Sequence, residues 1–339
     1  MSESRDSLLR EVVDLLWAQW TELGVGGTRG TSATIIDPEG LLAATTVFGR
    51  YEPRLFDEVL DWLSLHSDVL DVTRLRRVSA VHNLGEKRLL AAIVHFMREH
   101  SSNGKWSGTA DRALAGEHAE PYAPQPLFRT GDGNALPYFG ASDAFFAAQG
   151  FERPELVLRG LSTAPDPRRP ALARLRARAL TGQGARAEVL LYLSTHDHAH
   201  GRLISERAVF AQRQVAEYLT DMARAGLVDS WQDGRRVQYR LAPAVAGIGS
   251  GTARYVDWIG AYGVFVGLWA ALSGAAQEPD AYRASTLLRS GLEQVRDELP
   301  VEGLDLGRPE PERHPGERLV DHAIGFVASA AERARALAG

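Results

Sequence analysis

The stretch that most limits what this chain can fold into runs from Ala185 to Leu241: ARAEVLLYLSTHDHAHGRLISERAVFAQRQVAEYLTDMARAGLVDSWQDGRRVQYRL. Its spacing predicts a helix, a short helix, a longer helix and then a β-hairpin. In the longer helix, about Gln212 to Arg224, Val215, Leu219 and Met222 recur at i, i+4 and i+7, so one face is apolar. Gln212, Arg213, Gln214, Glu217 and Asp221 take the opposite face. Gly226 falls where a helix needs a left-handed C-terminal stop. Val228–Trp231 and Arg236–Leu241 then read as strands, and the Asp233-Gly234 between them is the strongest short-range hairpin signal.

The spacing Val215…Leu219…Met222…Ala225-Gly226-Leu227-Val228, followed by the hairpin Asp233-Gly234-Arg235-Arg236 closing on Tyr239, resembles the winged helix-turn-helix of bacterial transcriptional regulators of the MarR and ArsR kind. The resemblance covers only this part of the chain. It implies a sequence-specific regulator of double-stranded DNA, a dimeric repressor, whose helix Gln212–Arg224 enters the major groove with its N-terminus leading. Arg213 then suits a bidentate contact to guanine, and Gln212 or Gln214 a contact to adenine. Arg235 and Arg236 at the hairpin tip would reach phosphates or the adjacent minor groove, with Gln238 assisting. Glu217 and Arg202 complete the set assigned to DNA. Plainer accounts exist: Arg213 can simply pair with Glu217 one turn on, and Arg235 and Arg236 can be solvated turn charges. Gly184–Leu190 and the N-terminal segment are also similar to large bacterial winged-helix proteins encoded near nucleotidyltransferase-type toxins or phage-defence genes. That similarity implies the alternative, an antitoxin or defence component acting mainly on a protein partner.

Charge bears on this choice. The chain carries −5 overall, but Asp166–Ala242 holds 13 arginines against 8 acids, which makes that segment +5 and the remainder −10. A locally basic module in an acidic protein is the footprint of a specific DNA binder. Arg168 to Arg178 is an arginine-rich helix that either contacts phosphates flanking the site or bridges to acidic parts of the same protein. Lys87 and Lys105 are the only lysines. Cysteine is absent, which excludes disulfides, Cys-ligated zinc and thiol catalysis. The opening MSESRDSLLREVVDLLWAQW lacks the basic-then-apolar order of a secretory signal, so a cytoplasmic protein is expected.

At 339 residues and 45% hydrophobic content, two or three domains are expected. The fold class is mainly α with small β elements (α+β), a central winged module flanked by two other units. Residues 1–100 read as an α+β domain: a helix from Ser7 to Leu23, strands Ser32–Asp37 and Leu41–Phe48 around the turn Pro38-Glu39-Gly40, a helix opened by Pro53, and another from Glu86 to His100. Residues 101–165 form an irregular proline- and glycine-rich connection with one short helix near Asp143–Gln149. Residues 166–242 are the winged module. Residues 252–339 form a helical domain expected to make a homodimer. It opens with Trp258–Ala276, an uncharged run long enough to span a membrane. Gly260, Gly263, Gly267 and Gly274 favour instead a buried helix or one side of a dimer interface, with no membrane. Helices Ala281–Leu299 and Glu317–Leu337 follow.

Other chemistry lacks the spacing it requires. The glycine-rich Gly24–Gly30 is followed by no Gly-Lys-Ser/Thr and reads as a plain turn. Asp37, Glu39 and Glu86-Lys87 lack the acid-any-Lys order of metal nucleases. Gly140-Ala141-Ser142-Asp143 faintly resembles a nucleotidyltransferase signature without the second acid pair, and a helix cap by Ser142 or Asp143 is favoured. His196, His198 and His200 alternate in a loop, which does not preorganise a metal site. The expectation is no enzyme, no cofactor and no metal; the expected partners are duplex DNA, a second copy of the chain, and a toxin or defence protein.

Overall fold

The computed structural model describes residues 1–27, 32–101, 103–106, 122–245, 252–314 and 316–339. Residues 28–30 of the glycine-rich turn, and most of 101–121, lie outside the described residues. Helix dominates, at 62% of the described residues.

The first 100 residues are helical. α1 (Ser2–Glu22) buries Leu8, Val12, Leu15, Leu16 and Trp20 as its periodicity predicts. α2 (Pro38–Phe48) overturns the expected turn Pro38-Glu39-Gly40 and the expected strand Leu41–Phe48, whereas Ser32–Asp37 is extended and keeps an isolated bridge from Thr34 to Arg254. Asp37 caps it, its carboxylate accepting the Gly40 N–H at 3.0 Å, with Pro38 at the first helical position. Almost every α2 residue is buried, so no polar face marks it as a helix, and Thr45-Thr46-Val47 imitates a strand. Both threonines instead turn their hydroxyls back onto carbonyls of the preceding turn, Leu41 and Ala43. α3 (Pro53–His66), α4 (Val72–Val81, capped by Asp71) and α5 (Lys87–His100, capped by Glu86) complete the unit. Among the described residues of this unit the only β contact is an isolated bridge from Thr34 to Arg254. Apart from that bridge, the regular elements among the described residues of the expected α+β domain are helices.

Residues 122–172 are mostly irregular. β1 (Gln125–Pro126) pairs in parallel with β2 (Phe151–Glu152), and α6 (Ala144–Ala147) lies between them. Asp143 caps α6 by accepting from Phe145 and Phe146 N–H, so Gly140–Asp143 is a helix entry.

α7 (Ala173–Thr181) and α8 (Ala185–Thr195) come next. They lead through β3 (Ala199–His200) into α9 (Gly201–Ala208) and α10 (Gln212–Arg224). β4 (Val228–Asp233) and β5 (Arg236–Leu241) form the hairpin, and the antiparallel sheet order is β3-β5-β4. Register runs from Val228 opposite Leu241 to Asp233 opposite Arg236. Val215, Leu219 and Met222 face a core of Val189, Leu193, Ile204, Val228 and Leu241.

α11 (Trp258–Gln277), α12 (Ala281–Glu298) and α13 (Glu317–Ala338) end the chain. α11 is the one described helix long and apolar enough to cross a membrane. Here it is packed against α12, α1 and α2. Its glycines serve that contact: a Cβ on Gly267 would lie 3.0 Å from the Val295 side chain, and one on Gly291 of α12 would lie 2.3 Å from Ala271 Cβ. The close approach expected at a dimer interface is thus used within one chain. α13 lies along α1, with Arg335 paired to Glu11 at 2.5–2.9 Å. Residues 1–100 and 252–339, separated into two domains on sequence, contribute to one hydrophobic cluster that holds Trp20, Phe48, Trp62, Trp258, Tyr262, Leu292 and Leu319. Trp258 and Tyr262 of α11 also bond to Ile35 O and Gln19 Oε1.

A buried ionic network joins the N-terminal helices to the 173–241 module. Arg74 of α4 donates to both Asp37 oxygens at 2.6–2.7 Å and to Glu39 at 2.7 Å. Arg178 of α7 donates to Glu39 at 2.7–2.8 Å and to Glu188 of α8 at 3.0 Å. Arg174 pairs with Glu188 and Asp37. All six side chains are at most 4% exposed, and three guanidiniums balance three carboxylates. Burial alone would raise the Asp37 carboxyl, but Arg174, Arg74 and the Gly40 N–H hold it far below the usual carboxylate range. Glu188 is lowered in the same way, against its burial, by Arg174, Arg74 and Arg178.

Candidate nucleic-acid interface

α10 starts without a side-chain cap: Ala211 precedes it and offers no acceptor, so its first-turn N–H groups rely on other partners and mark the positive end of the helix. At this end Gln212 and Arg213 are exposed and Gln214 is half-buried. Arg213 Nε donates to Glu217 Oε1 at 2.9 Å, with the side chains 91% and 60% exposed. The plainer account of Arg213, pairing with Glu217 one turn on, is therefore realised. An exposed i,i+4 pair is weak, however, and a desolvated bidentate base contact is stronger.

The hairpin tip places Arg235 and Arg236 in solvent, with Gly234 at φ +57° making the turn. Between hairpin and helix lies a groove of about 340 Å³, lined among others by His200, Arg202, Gln212, Ala216, Arg236 and Tyr239. Arg202 is exposed and bonded to Glu206 at 2.8 Å. Gln238 does not belong to this surface: it sits on the central strand β5, buried, with its amide directed to Asp233 at 3.3 Å. Its expected assisting role is corrected accordingly. The structure thus brings Gln212, Arg202 and Arg236 around one concavity; Arg213 is exposed beside Gln212 but does not line it, and Arg235 lies at the hairpin tip.

His200 is the member that sequence reasoning misread. Its Nδ1 accepts the Leu203 N–H at 3.1 Å and so caps α9. In the neutral ring the proton is then on Nε2, which faces Arg236 Nη1 at 3.3 Å. The place of His200 just before a helix is the signal that could have marked it. The other two histidines go elsewhere. His198 lies beside Trp231, with ring centroids 5.6 Å apart. His196 stacks on Tyr192 and bonds to Glu302. No group of metal-ligating side chains assembles among the described residues.

The positive excess of 166–242 is largely consumed inside the molecule. Arg174 and Arg178 are buried in the ionic network, Arg169 grips Glu22 at 2.6–2.7 Å, and Arg207 pairs with Asp257 at 2.7 Å. Of the two roles open to the Arg168–Arg178 helix, its arginines at 169, 174 and 178 serve the bridge to acidic parts of the same chain. The same network accounts for Asp37 and Glu39, which face arginines and not a metal.

A second cleft, of about 520 Å³, lies between α3 and residues 153–159 and is lined by Arg54, Asp57, Glu58, Arg153, Glu155 and Arg159 among others. Arg153 is 1% exposed, packed against Phe56, Phe128 and Phe146 and paired with Asp57 at 2.9 Å. Its mixed charge selects no one ligand class. Compared with known proteins, the chain matches no family, no curated protein and no solved structure.

Proposed function

We propose that the 185–241 module is a winged helix-turn-helix and that the protein is a sequence-specific double-stranded-DNA-binding regulator. The observation that carries this reading is the shared concavity: the uncapped N-terminus of α10, with Gln212 and Arg213 exposed, stands across a groove from Arg236 of the hairpin. In this reading α10 enters the major groove, Arg213 exchanges Glu217 for a base edge, and Gln212 and Gln214 read a neighbouring pair. Arg235, Arg236 and Arg202 hold phosphates, with His200 Nε2–H as a further donor.

Titration of the full chain with a mixed-sequence duplex at several salt concentrations tests it. Binding should weaken linearly in log[salt], with a slope of about −0.9 for each phosphate neutralised. Absence of duplex binding at low salt would end the proposal.

One observation favours the second reading, a winged scaffold for a protein partner. At the C-terminal end of α10 an apolar groove of about 340 Å³ is lined by Leu180, Leu190, Met222, Leu227, Leu241 and Val245, with Leu180 60% and Leu227 40% exposed. A toxin or defence protein would bury this groove. Substituting Leu180 and Leu227 with serine should then abolish partner recovery while leaving duplex affinity unchanged.

A further inference from the structure

The turn between α9 and α10 is held from outside the module. Val209 ends α9 in the left-handed region, φ +60° and ψ +43°. A β-branched residue is an outlier there, and such turns commonly use glycine. The carbonyls on both sides of the kink are engaged by α4. Arg74 Nε donates to Ala208 O at 2.9 Å, and Arg77 Nε donates to Val209 O at 2.8 Å. The Arg77 guanidinium also lies 5.8 Å from the Phe210 ring centroid. Arg74 is in turn fixed by Asp37 and Glu39. The N-terminal unit therefore reaches the residues that set the path from α9 into α10.

We infer that Arg77 is a positioning residue for DNA binding, holding the strained Val209 turn so that α10 projects at the angle the duplex requires. This rests on the DNA-binding reading proposed above. Without Arg77 the turn relaxes in a fraction of molecules, and apparent affinity falls by the fraction that remains competent. Glycine at 209 removes the cost of the left-handed conformation, at the loss of a buried side chain, so in that background the turn no longer depends on the clamp.

The experiment compares four full-length proteins: wild type, Arg77→Ala, Val209→Gly and the double variant. Two readouts are taken: affinity for a duplex selected by the wild type, and hydrogen exchange at the Val209 and Phe210 amides, which bond to Glu206 O and Ser205 O. R77A should bind about tenfold more weakly, the size of one hydrogen bond, and exchange faster at both amides. V209G also loses a buried side chain and so sets its own baseline, and adding R77A to it should cost no more than about twofold in affinity and leave exchange unchanged. Unchanged affinity and exchange in R77A, or a double variant about tenfold weaker than V209G, overturns the inference. If R77A fails to fold, Arg77→Lys replaces it, with a smaller loss and the same rescue expected. If the wild type binds no duplex, the DNA reading has failed. The exchange data still decide the clamp on their own: faster exchange in R77A with no further effect of R77A in the V209G background supports it, and unchanged exchange in R77A refutes it.

Discussion

In the DNA-binding reading proposed above, Arg213 has two roles in turn. Its ion pair with Glu217 is exposed, screened by salt and easily given up, so the pair stores the arginine without holding it back from a stronger partner. Arg213→Ala should weaken binding to the preferred duplex by roughly ten- to a hundredfold and relax selectivity at one base pair. Arg235→Ala should instead weaken all duplexes about equally and flatten the salt slope by about one unit. Competition binding on duplexes substituted at single positions separates the two. Equal loss on every duplex from Arg213→Ala would remove it from base readout. Gln238 marks the limit of arguing from a hairpin's sequence: alternation places residues on two faces of the sheet, but not which face is covered. β3 adds a strand beside β5, and Gln238 becomes interior.

At the scale of elements, what was legible in the sequence was local. α10, the hairpin and α5 carry their own periodicity, caps and turn residues, and they stand where those signals put them. α2 escapes a sequence reading because it is buried all round, and Pro38-Glu39-Gly40 reads as a turn after a strand ending at Asp37, when Asp37 is the cap and Pro38 the first residue. α4 has no counterpart in the sequence reading. Arg74 is fully buried, and its partners lie 35 to 134 residues away in the chain. Long-range pairing of that kind leaves no periodic trace. It has an energetic consequence. Glu39→Gln leaves Arg74 and Arg178 short of a carboxylate inside the fold, and should cost about 3–5 kcal/mol in chemical denaturation. A loss below about 1 kcal/mol would mean the network is accessible to water.

For the whole molecule, the contacts that seat the module on the helical body decide how it behaves. His196 is one. Its ring nitrogens face the Tyr192 carbonyl and the Glu302 carboxylate, both acceptors, a demand met fully by the protonated ring. Burial alone would lower its pKa, but Glu302 and the Tyr192 carbonyl more than reverse this and leave it raised above 6.5. Glu302 is lowered below 4.5, chiefly by the hydrogen bond from His196, which outweighs its burial. A raised histidine contributes stability that is fully present below the unfolded value and lost as pH rises through the folded one. The lowered carboxylate contributes above its unfolded value and loses that contribution as pH falls through the folded one. The pair is therefore worth most between about pH 4.5 and 6.5. Tm should fall from about pH 6 to 8 in the wild type, and less so in His196→Gln. Equal slopes would assign the dependence to other groups.

The central claim is that α10 and the hairpin are shaped to read a duplex, and it is tested most directly by selecting bound duplexes from a random pool with the full-length protein. A defined sequence should emerge with the wild type, with one position losing its preference in Arg213→Ala and the same sequence recovered at lower yield with Arg235→Ala. A pool that stays random with the wild type, or an identical preference after Arg213→Ala, would contradict it.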